Sequence, residues 1–234
     1  MDEAETRRGV ETVNAKWGNL QAILAGDFLL SRASEIAASL GTEVAGLLAR
    51  TIGWLCEGQI EELRHTYDTS RTEASYLASI HGKTASLYGT AARIGGLAAG
   101  HDRPLVDALT EYGTSYGMVF QIVDDILDIT ATDEQLGKPA GHDIVEGVYT
   151  LPVLRTLAAG TSAADELADL LGAPLDAAAQ DKALGILRSN DGVASAVETA
   201  QEYVDRAVAA CDDFPDSAAT EALRSAPGAL IASV

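Results

Sequence analysis

Apolar residues recur every three or four positions along most of the 234-residue chain, and this helical period constrains the fold more than any other feature of the sequence. Alanine and leucine are abundant, whereas aromatic residues make up only 5% of the chain, a composition that favours helices over strands. No segment shows the alternation of a convincing strand. The pattern therefore predicts an all-α protein in which residues 1–234 form a single helical domain.

Helix-breaking and capping residues divide the chain into predicted helices. Gly41 ends one helix, and Ser70 with Glu73 forms a capping-box pattern before another. Asp102, which follows Gly100, marks a further start. A loop is predicted at 131–145, where glycine and proline are frequent. The predicted helices span residues 12–40, 42–66, 71–99, 103–130, 146–159, 163–171, 177–189, 191–212 and 217–226.

Charge and cysteine content exclude several classes of protein. With 35 acidic and 16 basic residues, a net charge of −19 argues against a nucleic-acid surface and against anionic lipid headgroups. The two cysteines, Cys56 and Cys211, predict neither a disulfide framework nor a thiolate zinc site. No stretch reaches the roughly 20 apolar residues of a transmembrane helix. These features predict a soluble protein of the reducing cytoplasm that binds cations or small molecules.

A cluster of aspartates lies in the apolar segment MVFQIVDDILDI. Asp124 and Asp128 are four residues apart and share a helix face, with Asp125 about 100° round the axis. Ionised carboxylates among apolar side chains pay desolvation and like-charge costs unless a cation joins them, and Mg²⁺ is the cation that carboxylates with water and phosphate suit best. A solvated acidic face, or pairing with arginines, is an equally weighted alternative for this pattern alone.

Several basic residues have the chemistry to bind an anion. Lys138, in the glycine-rich string GKPAGHD, has the freedom to close over a phosphate while Asp143 orients the lysine or a metal-bound water. Arg7 and Arg8 are adjacent guanidinium groups suited to anionic oxygens, although surface salt bridges explain them as well. Lys83, taken by itself, is expected to extend to the surface.

Seven motifs taken in order resemble those of the trans-isoprenyl diphosphate synthases: DEAETRRG, GDFLL, EGQIEEL, KTASL, FQIVDDILD, GKPAGHD and EGVYTLP. The resemblance runs from Met1 to about Arg155. It implies an isoprenoid-synthase-type helical bundle around a central cavity, usually as a homodimer. It also implies Mg²⁺-dependent condensation of isopentenyl diphosphate with an allylic prenyl diphosphate.

The resemblance also implies roles for individual residues. Those implied to hold Mg²⁺ are Asp2, Asp124, Asp125 and Asp128. Those implied to hold the allylic diphosphate are Arg7, Lys83, Thr84, Gln121 and Lys138, whereas Arg8 would hold isopentenyl diphosphate. The residues implied to be catalytic are Asp124, Asp125, Asp128, Lys83 and Lys138.

The sequence departs from the family pattern in two places. Asp2 is the only aspartate that matches the first aspartate-rich motif, and Val148 stands where many relatives carry lysine. We therefore expect little or no elongation activity from the 234-residue chain. Three explanations compete: a shortened form of a complete enzyme, which is favoured, a non-catalytic regulatory subunit of a heteromeric synthase, or an eroded relative. A class I terpene cyclase is a weaker alternative, because the form DDILD is typical of a chain elongator.

Overall fold

The computed structural model describes residues 5–7, 9–131 and 140–234, which fall into two compact units, Met1–Arg50 and Thr51–Val234. In the first unit, a short antiparallel pair of strands precedes the helices, with Thr6 opposite Glu11 and Arg7 opposite Val10. The elements that begin in this unit are β1 (Thr6–Arg7), β2 (Val10–Glu11), α1 (Val13–Trp17), α2 (Asn19–Ser39) and α3 (Thr42–Arg64).

In the second unit the described elements are helical. A π-helical segment joins α4 to α5, and a 3₁₀ turn follows α11. In chain order the elements are α4 (Glu73–Ile80), the π segment (His81–Ala85), α5 (Ser86–Ala98), α6 (Arg103–Thr130), α7 (His142–Val145), α8 (Leu151–Ala158), α9 (Ser162–Leu170), α10 (Ala177–Arg188), α11 (Gly192–Ala210), the 3₁₀ turn (Cys211–Asp213) and α12 (Ala218–Ile231).

The core of the second unit is built around α6. Asp102 caps this helix by accepting a hydrogen bond from the Leu105 amide at 3.3 Å, and Pro104 occupies its first turn, as expected for a helix start. Toward its C-terminal end α6 is buried on most sides, and it packs against α5 and α11. The buried apolar residues of this part are Met118, Val119, Ile122, Val123, Ile126 and Ile129. The candidate aspartates therefore project from a helix that is packed into the core of this unit.

Helix α3 and the π segment cross with their backbones almost in contact at Gly58 and Gly82. A Cβ atom added to Gly58 would lie 2.4 Å from the amide nitrogen of Lys83 and 2.6 Å from the carbonyl oxygen of Ser79. The Ser79 hydroxyl also donates to the Gly58 carbonyl at 3.0 Å. Only glycine permits this approach, which brings Glu62, one turn after Gly58, beside Lys83.

The all-α class is confirmed, with several local corrections. The expectation of no strand is wrong, because the structure has two strands of two residues each, β1 and β2. The helix predicted at 12–40 is interrupted at Gly18, whose φ of +86° is accessible to glycine but costly for other residues. The helix predicted at 146–159 begins only at Leu151, because Gly147 has a φ of +76° and Pro152 lies in the first turn of α8.

The capping box predicted from Ser70 and Glu73 is also wrong. The Ser70 hydroxyl donates to Asp68 Oδ1 at 2.6 Å, so it closes the preceding turn. Thr72 caps α4 instead, accepting a hydrogen bond from the Ser75 amide at 3.1 Å with its backbone extended, as an N-cap requires.

At the other predicted boundaries, most helix ends agree to within a few residues, but α12 continues to Ile231 rather than ending at 226. Of the loop predicted at 131–145, residues 132–139 lie outside the described residues, and 142–145 form α7. Among the described residues, no helix combines the length and apolar character needed to cross a membrane.

Candidate active site

The three aspartates of α6 differ sharply in exposure. Asp124 is exposed, whereas Asp125 and Asp128 are only 4% and 3% exposed. Successive residues of a helix point about 100° apart, so a helix packed on most sides turns Asp125 into the protein while Asp124 faces solvent. The three carboxylates therefore have different environments, and each is described separately.

Asp125 is held by hydrogen bonds at both carboxylate oxygens. The Tyr76 hydroxyl donates to Oδ2 at 2.6 Å, and Gln121 Nε2 donates to Oδ1 at 2.8 Å. Burial raises the pKa of Asp125, while the charge of Lys83 and these two hydrogen bonds oppose the rise. Burial and the neighbouring Asp125 charge raise the pKa of Tyr76 well above its usual value, so Tyr76 stays protonated as the donor.

Gln121 connects Asp125 to the π segment. The Thr84 hydroxyl donates to Gln121 Oε1 at 2.8 Å, and the amide group of Gln121 then donates to Asp125. A continuous hydrogen-bonded row thus runs from Thr84 through Gln121 and Asp125 to Tyr76. The row fixes the side chain of Gln121 in one orientation, because both ends of its amide have a partner.

Lys83 lies next to this row and forms an ion pair with Glu62 of α3. The side chains are 21% and 10% exposed, so the pair is largely shielded from water. The expectation that Lys83 simply extends to the surface is therefore wrong, because the crossing at Gly58 places a carboxylate within its reach. The π-helical geometry of residues 81–85, a form of helix often found at functional sites, sets the direction of Lys83 and Thr84.

Asp128 fixes the segment that follows α6. Its Oδ2 accepts a hydrogen bond from the backbone amide of Asp143 at 3.0 Å, and its carbonyl accepts one from Gly141 at 2.6 Å. A carboxylate that accepts a backbone amide at the start of a helix satisfies an N–H group that has no acceptor within the helix itself. Asp143, predicted to orient a lysine or a metal-bound water, meets Asp128 through its own backbone amide.

Not every predicted residue can be placed. Asp2, Arg8 and Lys138 lie outside the described residues, as does the side chain of Arg7, whose backbone belongs to β1.

Conversely, sequence reasoning missed Tyr76 and Glu62. Glu62 lies in the motif EGQIEEL, five residues after the first glutamate of that motif. Its place in a motif of the resemblance is the signal that could have identified it. Tyr76 carried none, because a tyrosine at a helical period is normally a core residue.

The described residues fit a magnesium ion that also contacts a diphosphate better than a closed protein cage. No group of three or more histidine, cysteine, aspartate or glutamate side chains in 5–7, 9–131 and 140–234 is arranged to hold a metal ion. Mg²⁺ keeps several waters and is commonly bound by one or two carboxylates together with substrate phosphates. Asp124, exposed beside the buried row, has the chemistry of such a ligand.

The order of the motifs and this arrangement agree with comparisons to known proteins. The sequence model of the polyprenyl synthetase family matches residues 1–187, most of the chain. The chain belongs to the polyprenyl synthetase family. Among curated relatives, it is 40% identical over 227 residues to nonaprenyl diphosphate synthase of Mycobacterium tuberculosis, covering 95% of this chain and 68% of the relative.

A second relative is heptaprenyl diphosphate synthase component 2 of Geobacillus stearothermophilus. It is 39% identical over 225 residues, covering 96% of this chain and 70% of the relative. The relatives of this chain are prenyltransferases. They favour a polyprenyl diphosphate synthase over both alternatives, the regulatory subunit and the terpene cyclase.

Solved structures confirm the isoprenoid-synthase-type fold. A polyprenyl synthase from Caulobacter crescentus, complexed with calcium and isoprenyl diphosphate, matches with a TM-score of 0.90 at 32% identity, over 97% of this chain and 70% of that one. A decaprenyl diphosphate synthase from Rhodobacter capsulatus matches with a TM-score of 0.89 at 29% identity, over 99% and 72% of the two chains.

Proposed function

We propose that this chain binds the diphosphate of an allylic prenyl substrate with Mg²⁺ at the row formed by Thr84, Gln121 and Asp125, and that this site serves condensation with isopentenyl diphosphate. The observation that carries the proposal is the position of the Lys83–Glu62 pair next to that row. The lysine, the hydroxyl and the amide lie together, and they can donate hydrogen bonds to diphosphate oxygens. The exposed carboxylate nearby can bind the metal ion.

Each residue would have a distinct part. By their motif positions, Asp124, Asp125 and Asp128 would hold the metal, Asp124 through an exposed carboxylate. Asp125 and Asp128 would in addition keep Gln121 and the segment before α7 in place. Lys83 and Thr84 would bind diphosphate oxygens. Bound Mg²⁺ supplies stabilisation of the negative charge that develops on a departing diphosphate.

The remaining predicted residues complete the proposal. By their motif positions, Arg7 and Lys138 would also bind the allylic diphosphate, Arg8 would bind isopentenyl diphosphate, and Asp2 would contribute to the metal site from the other aspartate-rich motif. The support for these assignments is the match of the family sequence model to residues 1–187. The calcium and isoprenyl diphosphate bound to the Caulobacter crescentus relative support a divalent cation with this class of ligand.

Isothermal titration calorimetry with inorganic pyrophosphate tests the proposed site directly. We expect the 234-residue chain to bind pyrophosphate when Mg²⁺ is present and to lose that binding when EDTA removes it. Binding of equal strength with and without Mg²⁺, or no binding under either condition, would contradict the proposal. The assay needs no turnover, so it is independent of whether the chain elongates a substrate.

Replacing Asp124 with asparagine should weaken Mg²⁺-dependent pyrophosphate binding by about tenfold or more, because the amide keeps the shape but removes the charge that attracts the metal. Stability should change by less than about 0.5 kcal/mol, since the side chain is exposed. The matched control is Asp181→Asn, an exposed aspartate of α10. Equal affinities for the Asp124 and Asp181 variants would remove Asp124 from the metal site.

We also propose a homodimer in the cytoplasm. Helix α2 leaves all of its leucine, isoleucine and phenylalanine side chains exposed, a pattern typical of surfaces that another chain covers: Leu20, Ile23, Leu24, Phe28, Leu29, Leu30 and Ile36. Both cysteines are free, in keeping with a reducing compartment. Sedimentation equilibrium should give a mass twice that of one chain; a single-chain mass at micromolar concentration would contradict the dimer.

A further inference from the structure

Arg71 is a buried cation behind the proposed diphosphate site, in the turn that precedes α4. It is only 5% exposed, although a guanidinium group stays charged at any ordinary pH. Burial lowers the pKa of Arg71, and the charge of Glu62 is the largest influence that opposes the change. An arginine is rarely enclosed unless acidic partners or a function compensate the cost of desolvation.

The hydrogen bonds of Arg71 are incomplete among the described residues. Nη1 donates to the Tyr149 carbonyl at 3.2 Å, but Nε and Nη2 are buried without a hydrogen-bond partner in the described part of the chain. Buried donors of a charged group are normally satisfied by protein or by ordered water. These two positions therefore need acceptors that the described residues do not supply, and ordered water fits such a buried polar site.

The neighbours of Arg71 are the groups that organise the proposed site. Its guanidinium carbon lies 5.7 Å from the centre of the Tyr76 ring, close enough for a cation–π contact, and its charge acts on Glu62 and Asp125. Glu62 holds Lys83, and Asp125 holds Gln121. One buried cation thus influences both carboxylates that orient the predicted diphosphate-binding side chains.

We propose that Arg71 is a positioning residue of the diphosphate site, acting on Lys83 through Glu62 and on Gln121 through Tyr76 and Asp125. This inference rests on the proposed function. Without the guanidinium, Lys83 is the cation that the described residues leave close to both Glu62 and Asp125. The two carboxylates then hold it away from an incoming phosphate. Tyr76 also loses the group packed over its ring, and with it the fixed direction of its hydroxyl.

The test compares Mg²⁺-dependent pyrophosphate affinity in the 234-residue chain and in Arg71→Met, whose unbranched side chain fills most of the space without charge. We expect about a tenfold loss of affinity. The matched control is Arg155→Met, which removes a partly buried arginine that is bonded to Glu73 and Ser195 rather than to a residue of the row. It should lose stability but keep its affinity. Wild-type affinity in a folded Arg71→Met, or an equal loss in both variants, overturns the proposal.

If Arg71→Met does not fold, Arg71→Lys decides the question. The ammonium keeps the charge but lacks the planar fork that reaches two sides at once, so we expect a smaller loss of about threefold. Unchanged affinity in this variant then overturns the proposal. If the unmodified chain binds no pyrophosphate with Mg²⁺, the proposed function itself fails, and crystal structures decide the role of Arg71.

The crystallographic readouts do not depend on substrate binding. The unmodified chain should show ordered water at Nε and Nη2 of Arg71. The methionine variant, or the lysine variant if the first does not fold, should show Tyr76 or Lys83 displaced by about 0.5 Å or more, a distance that matters for a binding site. Tyr76 and Lys83 side chains that stay in place in the variant overturn the inference.

Discussion

Replacing Gly58 with alanine is expected to lower the free energy of unfolding by about 3 kcal/mol and to disturb the proposed diphosphate site at the same time. The added Cβ atom would lie 2.4 Å from the amide nitrogen of Lys83 and 2.6 Å from the carbonyl oxygen of Ser79. Both are backbone atoms, so no side-chain rotation relieves the overlap. The two helical segments must separate, which also breaks the hydrogen bond from the Ser79 hydroxyl to the Gly58 carbonyl.

The same separation moves Glu62 away from Lys83, since Glu62 lies one turn beyond the crossing. A buried carboxylate that loses its ammonium partner costs more than the packing change alone. We therefore expect Gly58→Ala to lose Mg²⁺-dependent pyrophosphate binding even under conditions where it remains folded. Urea-induced unfolding followed by circular dichroism measures the stability, and calorimetry measures the binding.

Gly53 provides the matched control on the same helix. It is exposed, and a Cβ atom added there meets nothing within 4 Å. Gly53→Ala should therefore raise the free energy of unfolding by about 0.5–1 kcal/mol, because alanine loses less backbone entropy than glycine in a helix. Equal stabilities for the two alanine variants would show that α3 and the π segment do not cross as closely as described.

Sequence patterns could predict the helices because their signals are local. The period of apolar residues, Asp102 as an N-cap and Gly41 at a helix end each depend on residues only a few positions away. The interruption at Gly18 could not be predicted in this way, because a glycine inside a helical pattern is compatible with either continuation or a break. Similarly, Ser70 and Thr72 are both suitable caps, and the bond from Ser70 to Asp68 decides between them.

The site could be predicted only in part, because its geometry depends on contacts between distant segments. The spacing of Asp124 and Asp125 places them on different sides of a helix, but it does not say which side is buried. That is decided by the packing of α6, which turns Asp125 toward Tyr76, 49 residues earlier in the chain. The pairing of Lys83 with Glu62 likewise depends on a glycine crossing that no local pattern indicates.

Replacing Tyr76 with phenylalanine should lower the free energy of unfolding by about 2–3 kcal/mol, an unusually large effect for the loss of one oxygen atom. Tyr76 is 1% exposed, and its hydroxyl donates to a fully enclosed carboxylate at 2.6 Å. Water cannot readily replace the lost donor, and Asp125 keeps Gln121 as its hydrogen-bond partner on the other oxygen. The cost is therefore that of an ionised group left short of a donor, rather than that of a lost packing contact.

The Tyr76→Phe variant separates the effect of the hydrogen-bonded row on stability from its effect on pyrophosphate binding. Because Asp125 would still accept from Gln121, the variant should fold and retain some Mg²⁺-dependent pyrophosphate binding, weakened by about three- to tenfold through a less fixed Gln121. Tyr203→Phe is the matched control, since Tyr203 is partly buried and packs against Arg206. We expect it to change stability by less than about 0.5 kcal/mol. If Tyr76→Phe is as stable as Tyr203→Phe, the hydroxyl of Tyr76 does not support Asp125, and the row from Thr84 ends at that carboxylate.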